Sequence, residues 1–354
     1  MKQLGYYFFK YWISFGLFFY FKKIIVIGLE DIPKNKPILL LSNHQNALLD
    51  VLLIATRNSL KPWYLTRSDV FKSKLFSPLF YFLQMIPIYR MRDGKDTLSK
   101  NQAIFNQCGE LLNNNETLLI FPEADHNLKR RVRPLSKGFT RLLFNALEEN
   151  PKLEIQLVPV GHNYLRATNF PDSTALYFGK PISVQDFLNE NKNDTVSKIK
   201  YTVAEQLKLL TTNIEDEANY DSIYSILENE GVNFLYPKEV NARIKSVTLN
   251  RETQNLKSNN VFHRGIIKFL FVLLNLPIYL VWRVVVKPTV PEPEFMGTFR
   301  FVFSMLFYPI FYLLMAIIIS NSYSIKTACL VVVGHAVLNF IFIKIGFTSS
   351  VQRK

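Results

Sequence analysis

Long apolar runs near the carboxyl end constrain the fold of this chain most strongly. Gly265 to Val286 and Phe301 to Ile319 are each long enough to cross the hydrocarbon core of a bilayer, which takes about 20 helical residues. A third run, Thr327 to Ile343, has borderline length for a span. Pro277 and Pro309 break the first two runs, and the third contains His335 and Asn339. Residues 265–345 are therefore predicted to form a transmembrane region of two to three helices.

The first apolar stretch has a different character, because it is almost solidly aromatic. Tyr6 to Phe21 reads YYFFKYWISFGLFFYF, is followed by Lys22 and Lys23, and lacks the small-residue cleavage site of a signal peptide. Its length is marginal for a span, whereas Tyr and Trp side chains favour the headgroup level of a bilayer. Residues 1–23 are therefore predicted to be an interfacial membrane anchor, with an ordinary core helix as the alternative.

The charge balance agrees with a membrane-bound protein. The chain has 42 Lys and Arg against 28 Asp and Glu, a formal charge of +14 that favours an anionic partner. Nucleic acid, a lipid surface and phosphorylated substrates all meet that description. Thirty Phe and 17 Tyr, in a chain that is 49% hydrophobic, favour the lipid surface, and no nucleic-acid partner is expected. Two distant cysteines, Cys108 and Cys329, indicate no disulfide framework.

Between the two hydrophobic ends, residues 24–185 alternate short apolar runs with helical periods. Nearly continuous apolar runs are typical of strands buried on both faces of a sheet. Five strands are predicted: Pro37–Ser42, Trp63–Thr66, Ile86–Tyr89, Thr117–Phe121 and Ile155–Val160. Helices are predicted over Asp96–Leu112 and Ser136–Leu147. The fold class is therefore α/β, a mainly parallel sheet flanked by helices, with peripheral helices and a linker over residues 186–264.

The stretch SNHQNALLD, residues 42–50, follows the first buried strand. Open α/β sheets bind ligands at the carboxyl ends of their strands, so His44 is a candidate general base and Asp50 its orienting carboxylate. Residues six apart on one helix point about 120° away from each other. The two side chains can therefore meet only if His44 lies in the turn before the helix and Asp50 lies in its first turns. The alternative is that both are turn or capping residues.

Three further polar stretches follow predicted strands. IPIYRMR, residues 86–92, ends on Arg90 and Arg92, which suit a phosphate group or an ordinary solvated surface. LLIFPEADHNLKRRVRPLSKG, residues 118–138, contains five cations within nine residues. These cations suit a phosphate site or a membrane-contacting loop, and a nucleic-acid patch less well because no stacking aromatics are interleaved. LVPVGHNY, residues 157–164, has a proline within its strand and a histidine after it.

Together, and in this order, the four stretches resemble the glycerolphosphate and lysophosphatidate acyltransferase family. The family blocks NHxxxxD, an Arg after an apolar strand, FPEGTRS and VPV stand here as NHQNALLD, IPIYR, FPEADHN and VPV. The resemblance covers roughly residues 35 to 185 and implies acyl transfer from a thioester donor to a hydroxyl. It makes His44 the base, Asp50 its partner and Pro159 part of the wall on the acyl side. The other substrate-site residues taken from these blocks are Asn43, Arg90, Pro122 and Glu123.

The chain departs from the family pattern at two points. The family block has four residues between His and Asp, whereas this one has five, Gln45 to Leu49, so the turn must absorb one more residue. In the third block the family's Gly-Thr-Arg-Ser is replaced by Ala124, Asp125, His126 and Asn127. The phosphate-binding Arg is therefore not at its expected place. The cations expected to substitute for it are Lys129, Arg130 and Arg131, and His126 is a rival base.

The resemblance implies a membrane-bound O-acyltransferase of phospholipid synthesis. The acceptor is glycerol 3-phosphate, lysophosphatidate or another lysolipid, and the donor is an acyl group on coenzyme A or acyl carrier protein. No metal or bound cofactor is expected, and the catalytic domain is expected at the cytoplasmic face of a bilayer. The altered third block motivates one alternative, a non-catalytic lipid-binding membrane protein that retains the fold. A lipid hydrolase is weaker, because no G-x-S-x-G elbow occurs.

Overall fold

The structure is a computed structural model of the chain, and it describes residues 2–72, 77–89, 97–188, 191–250 and 261–347. The ranges described contain one large sheet with helices on both faces, three helices that follow it, and a carboxyl-terminal group of apolar helices.

Eight strands form the sheet: β1 (Lys23–Ile27), β2 (Ile38–Ser42), β3 (Trp63–Arg67), β4 (Met85–Ile88), β5 (Thr117–Ile120), β6 (Gln156–Tyr164), β7 (Ser173–Phe178) and β8 (Ile182–Ser183). The order across the sheet is β1-β7-β6-β2-β5-β3-β4, with β8 also paired to β6. All pairs are parallel except those of β6 with β7 and β8. The predicted α/β class with a mainly parallel sheet is confirmed.

Helices cover the sheet and continue beyond it: α1 (Lys2–Tyr20), α2 (Ala47–Arg57), α3 (Ser77–Phe82), α4 (Thr97–Asn113), α5 (Gly138–Glu149), α6 (Lys192–Leu210), α7 (Tyr220–Asn229), α8 (Pro237–Asn250), α9 (Val261–Leu274), α10 (Leu276–Val281), α11 (Met296–Ser322) and α12 (Ile325–Ile345). One face of the sheet packs on α4, α5 and α6, and the other on α1, α2 and the start of α11. The central strand β2 is buried along its whole length, as its unbroken ILLLS sequence predicts.

The sequence prediction differs from the observed sheet in the length of β6 and in three strands that it missed. β6 was expected to end at Val160, but it continues to Tyr164 with His162 and Asn163 fully enclosed. The Asn163 amide donates to Leu210 O and accepts from the backbone N–H of Thr212, so its burial leaves it bonded. β1 and β7 were not predicted, and they pair in parallel at the edge of the sheet.

Helix α1 has two apolar faces. Leu17 and Tyr20 are buried against the core beneath α2, whereas Phe8, Tyr11 and Phe15 are largely exposed on the opposite side. A helix that packs on a domain by one face and offers aromatic side chains on the other is suited to the bilayer interface. The interfacial anchor predicted for residues 1–23 remains a prediction that this exposed face supports.

The carboxyl-terminal helices include two that are long and apolar enough to cross a membrane. These are Pro293–Ser322, which comprises a short 3₁₀ turn and α11, and Ile325–Ile345, which is α12. The pair Gly265–Leu274 and Leu276–Thr289 bends by 96° and counts as a third only if it forms one broken span. The predicted range of two to three spans agrees with these helices.

The bend between α9 and α10 explains the polar residues noted in the apolar sequence. Asn275 and Asn339 exchange side-chain hydrogen bonds of 2.6 and 2.9 Å, and the hydroxyl of Tyr308 donates to Asn275 Oδ1 at 3.0 Å. The Leu274 carbonyl accepts from His335 Nε2 at 3.0 Å. Polar groups freed at a helix break in an apolar environment need such partners, and α12 supplies them.

A glycine in β6 allows the sheet and α6 to approach closely. A Cβ on Gly161 would lie 2.2 Å from the Leu210 carbonyl oxygen, whereas a Cβ on Gly138 would meet only Ser136 Oγ, at 3.6 Å. We expect Gly161→Ala to destabilise the fold by about 1–3 kcal/mol, as overpacked core substitutions do. The measurement is the thermal unfolding of both variants in detergent, with Gly138→Ala as the matched control. Equal melting temperatures for the two variants would contradict the close approach.

Candidate active site

His44 lies in the turn between β2 and α2, at the carboxyl edge of the sheet. Asp50 lies in the first turn of α2, and its Oδ2 is 2.8 Å from His44 Nδ1. His44 and Asp50 could meet only if His44 preceded the helix and Asp50 lay in its first turns. The structure has this arrangement, and the two side chains are in contact. The turn accommodates its additional residue with a left-handed backbone at Ala47, where φ is 41°, a conformation that residues with a Cβ rarely adopt.

The Asp50 carboxylate is fully buried and satisfied on both oxygens. Besides His44, its Oδ2 accepts from the backbone N–H groups of Gln45 and Asn46, both at 2.8 Å, and its Oδ1 accepts from the Tyr164 hydroxyl at 2.7 Å. Burial alone would raise the pKa of Asp50, but the nearby His162 and the bonds from His44 and the Asn46 amide outweigh it and lower that pKa to about 2. The carboxylate therefore stays ionised at neutral pH.

A second histidine, His162, faces the same carboxylate from β6. Its Nε2 donates to Thr174 Oγ1 at 3.1 Å, because the Thr174 hydroxyl already donates to the Asn163 carbonyl. Burial lowers the pKa of His162 to about 4 despite the opposing charge of Asp50, so the ring is neutral at pH 7. Its Nδ1 lies 3.2 Å from Asp50 Oδ1 without hydrogen-bond geometry. The sequence analysis noted a histidine after this strand, but nothing in the sequence indicated that it lies beside Asp50.

The other nitrogen of His44 is left available. Because an ionised carboxylate only accepts, Nδ1 carries the hydrogen and Nε2 carries the lone pair. The ring stacks on Phe121 with centroids 3.9 Å apart, and the His44 carbonyl accepts from Asn127 N at 2.9 Å. Among the described residues Nε2 has no hydrogen-bond partner, and the ring is only partly buried. A fixed imidazole with an open acceptor nitrogen can remove a proton from a hydroxyl.

Asn43 holds this turn against the sheet. Its Nδ2 donates to the His162 carbonyl at 3.0 Å, and its Oδ1 accepts from the His162 backbone N–H at 2.7 Å. The side chain is buried, and this reciprocal pair engages both ends of its amide. These contacts give Asn43 a positioning role between β2 and β6, and its substrate-binding role stays a prediction.

In the third block, Glu123 is engaged by a cation of the same loop. Its Oε2 accepts from Arg133 Nη2 at 2.8 Å and from Nε at 3.1 Å. Burial raises the pKa of Glu123, and the Arg133 charge opposes that rise. Pro122 is buried beside it, and its carbonyl accepts from Ser136 N at 2.8 Å. Ala124 has a left-handed φ of 64°, in the place where the family block has glycine.

Arg130 is held by groups of the fold itself. Its guanidinium donates to the carbonyls of Tyr164 and Leu165, both at 2.9 Å, and its central carbon lies 3.8 Å from the Phe234 ring centroid. The residue is 6% exposed. The guanidinium therefore joins the end of β6 to the loop between α7 and α8, and the substrate-binding role of Arg130 stays a prediction.

The other residues predicted to bind substrate do not form one cluster in the part of the chain that the structure describes. Arg131 forms an ion pair with Glu217, whereas Lys129 is exposed, with its Nζ 5.0 Å from the Tyr220 ring centroid. Pro159 is buried in β6 opposite Leu41 of β2. Arg90 lies outside the described residues. The basic stretch therefore divides between packing, ion pairs and two exposed lysines, Lys129 and Lys137.

The segment before α11 lies over the site, which the sequence did not indicate. Glu292 Oε2 is 2.9 Å from His126 Nε2, and the Phe295 ring meets the His126 ring edge-on at 4.7 Å. The His126 ring is itself 5.8 Å from that of His44, so the rival base is near, but its Nε2 is bonded. In the described part of the chain, ligand atoms of His126, Glu292 and Glu294 lie within 4.8 Å of one another and could hold a metal ion.

The first turn of α11 also touches the His44 turn directly. Thr298 Oγ1 accepts from Leu49 N at 3.3 Å and lies 3.4 Å from the Asn46 carbonyl. A Cβ on Gly297 would lie 2.6 Å from Asn46 Oδ1, so a larger residue there would displace the Asn46 side chain. The predicted transmembrane region thus supports the turn that carries His44.

Fold and site together define an α/β domain with a histidine–carboxylate pair at its sheet edge, joined to apolar helices. Residues 23–163 match the sequence model of the acyltransferase family. The resemblance drawn from the four blocks is thereby confirmed.

Curated relatives are similar to part of the chain. Glycerol-3-phosphate O-acyltransferase 1 of Saccharomyces cerevisiae is 24% identical over 120 residues, covering 32% of this chain and 16% of the relative. Glycerol-3-phosphate O-acyltransferase 2 of the same yeast is 25% identical over 130 residues, covering 36% and 17%. The match thus spans about a sixth of each relative. The crystal structure of PlsC, the 1-acyl-sn-glycerophosphate acyltransferase of Thermotoga maritima, is 20% identical, covers 52% of this chain and 72% of its own, and has a TM-score of 0.37.

Asp50→Asn tests whether the carboxylate acts by charge. An Asn side chain can keep the shape, with its oxygen toward the turn amides and its NH₂ toward Tyr164 and His162. It cannot stabilise a protonated His44, so we expect turnover to fall by about 10²–10⁴-fold. The melting temperature should change little. Both are measured on purified protein in detergent.

Tyr164→Phe is the matched control for that variant. It removes a hydrogen bond to the other carboxylate oxygen and leaves the bond to His44 in place. A loss within about tenfold is expected, since one hydrogen bond to a charged group contributes about 1.5–3 kcal/mol, only part of which reaches the imidazole. If Asp50→Asn retained activity close to that of the unsubstituted protein, Asp50 would be a capping residue only.

Proposed function

We propose that this domain transfers a fatty acyl group from a thioester donor to a hydroxyl of glycerol 3-phosphate, lysophosphatidate or a related lysolipid. The observation that carries the proposal is the open Nε2 of His44, whose Nδ1 is fixed at 2.8 Å from a buried carboxylate. The family of residues 23–163 and the names of the yeast relatives support this reaction class. In this role the protein contributes to phospholipid synthesis.

In the proposed reaction His44 serves first as a base and then as an acid. Nε2 takes the acceptor's hydroxyl proton while the oxygen attacks the thioester carbonyl carbon, forming a tetrahedral oxyanion. As that intermediate collapses, the carbon–sulfur bond breaks and the leaving thiolate recovers the proton from the imidazolium. Asp50 stabilises the imidazolium through its charge, and it stays ionised because its pKa is about 2. The scheme requires no bound metal or cofactor.

The hydrophobic surfaces support a reaction at a bilayer. The exposed aromatic face of α1 and the two apolar helices of 293–322 and 325–345 would hold the sheet edge beside the lipid phase. In this arrangement a lysolipid acceptor enters from the membrane, and a coenzyme A or acyl carrier protein donor enters from water, on the cytoplasmic side. Lys129 is an exposed cation of the third block and the residue that we assign to the acceptor phosphate.

His44→Ala tests the base. We expect acyl transfer to fall by about 10²–10⁴-fold. The chain should stay folded, because Asp50 keeps three of its four hydrogen-bond donors. The assay supplies labelled acyl-coenzyme A or acyl carrier protein together with glycerol 3-phosphate or lysophosphatidate to the full chain in detergent.

His126→Ala is the matched control, since it removes a neighbouring imidazole whose Nε2 is bonded to Glu292. It should retain activity within a few-fold. A reversed ranking of the two variants would make His126 the base. Transfer to no acceptor by the unsubstituted protein, with lipid binding intact, would support the non-catalytic alternative.

A further inference from the structure

A groove of about 720 Å³ lies between the sheet domain and the carboxyl-terminal helices. One side is the loop 168–170 that follows β6, and the other sides are the bent α9–α10 pair and the beginning of α11. Pockets that hold drug-sized ligands have volumes of about 300–1,000 Å³, so the space suits one amphiphile.

The groove is apolar toward its base. Phe271, Trp282 and Phe303 line it, with the Trp282 and Phe303 rings 5.7 Å apart. Asn275 and Tyr308, which also line it, are bonded to each other at 3.0 Å, so their polar atoms are already occupied. A hydrocarbon chain can therefore lie here without stripping water from unpaired groups.

The rest of the lining carries one sign of charge. Four of the described lining residues are cations, and none is a carboxylate: Lys268, Arg283, Lys287 and Arg300. Arg283 donates to the Tyr279 hydroxyl and Arg300 to the Thr168 carbonyl, and among the described residues neither guanidinium forms an ion pair with a carboxylate. A cluster of cations beside an apolar space recognises an anionic head group joined to a chain.

We infer that this groove binds a phosphate-bearing lipid. The acyl chain lies along Phe271, Trp282 and Phe303, and the phosphate lies among the four cations. Binding does not depend on the proposed acyl transfer, and it gives the apolar helices a ligand in addition to the bulk bilayer.

The groove adjoins the catalytic turn through one loop. Asn46 Nδ2 of that turn donates to the Ala167 carbonyl at 2.9 Å, and Arg300 Nη1 donates to the neighbouring Thr168 carbonyl at 3.2 Å. A lipid phosphate that contacts Arg300 therefore lies against the loop that also supports the His44 turn.

Tryptophan quenching tests the site directly, since Trp282 lines the groove. A full-length variant with Trp12→Phe and Trp63→Phe keeps Trp282 as its single tryptophan. In uncharged detergent micelles, phosphatidate with brominated acyl chains should quench its fluorescence saturably. Adding Arg283→Gln and Lys287→Gln should raise the half-quenching concentration by about tenfold to thirtyfold, since each cation near a lipid head group contributes about 1 kcal/mol.

Lys326→Gln is the matched control, because it removes an exposed cation at the start of α12, outside the groove lining. It should leave the quenching curve unchanged, and brominated phosphatidylcholine should quench much more weakly than phosphatidate. Equal quenching by both lipids, or no effect of the Arg283 and Lys287 substitutions, would reduce the groove to ordinary lipid contact. Displacement of phosphatidate by millimolar inorganic phosphate alone would overturn the lipid assignment in favour of a phosphate site.

Discussion

The burial of one carboxylate organises the site and much of the surrounding fold. A charged group enclosed by protein is stable only when it is paired and hydrogen-bonded, and Asp50 obtains four donors from three sources. His44 donates from its ring, two amides donate from the turn, and Tyr164 donates from β6. Those donors fix the turn geometry, including the left-handed backbone at Ala47. The orientation of the His44 imidazole therefore follows from the hydrogen bonds that stabilise the buried Asp50 carboxylate.

In the apolar helices, neutral polar groups are likewise buried only where they are hydrogen-bonded. The break at Asn275 frees backbone and amide groups where water is scarce, and His335 and Asn339 of α12 satisfy them. A bend of 96° stabilised in this way brings α10 back toward the sheet domain and creates the groove beside loop 168–170. The polar residues within these apolar runs thus mark the contact between the α9–α10 bend and α12. The prediction of a transmembrane region alone did not explain them.

Elements whose side chains are uniformly apolar could be predicted from the sequence, and β2 and β5 appear where their runs place them. The contact of His44 with Asp50 could be predicted only conditionally, since spacing restricts where two residues meet but does not place them. Arg130 could not be placed, because positive charge density carries no information about carbonyls that later surround a guanidinium. The docking of Thr298 on the turn was equally hidden, because about 250 residues of sequence separate the partners.

The first helical turn of α11 joins the apolar helices to the turn that carries His44. Gly297 and Thr298 contact the His44 turn, and Arg300, less than one turn further on, reaches the loop shared with the groove. Helix α11 is continuous from this contact through Ser322, so its position in a bilayer and the position of the turn cannot change independently. Packed interfaces resist gradual deformation, so a shift of α11 would move the turn as a unit. The first turn of α11 is therefore coupled to the His44 turn, and the apolar region forms part of the site's support.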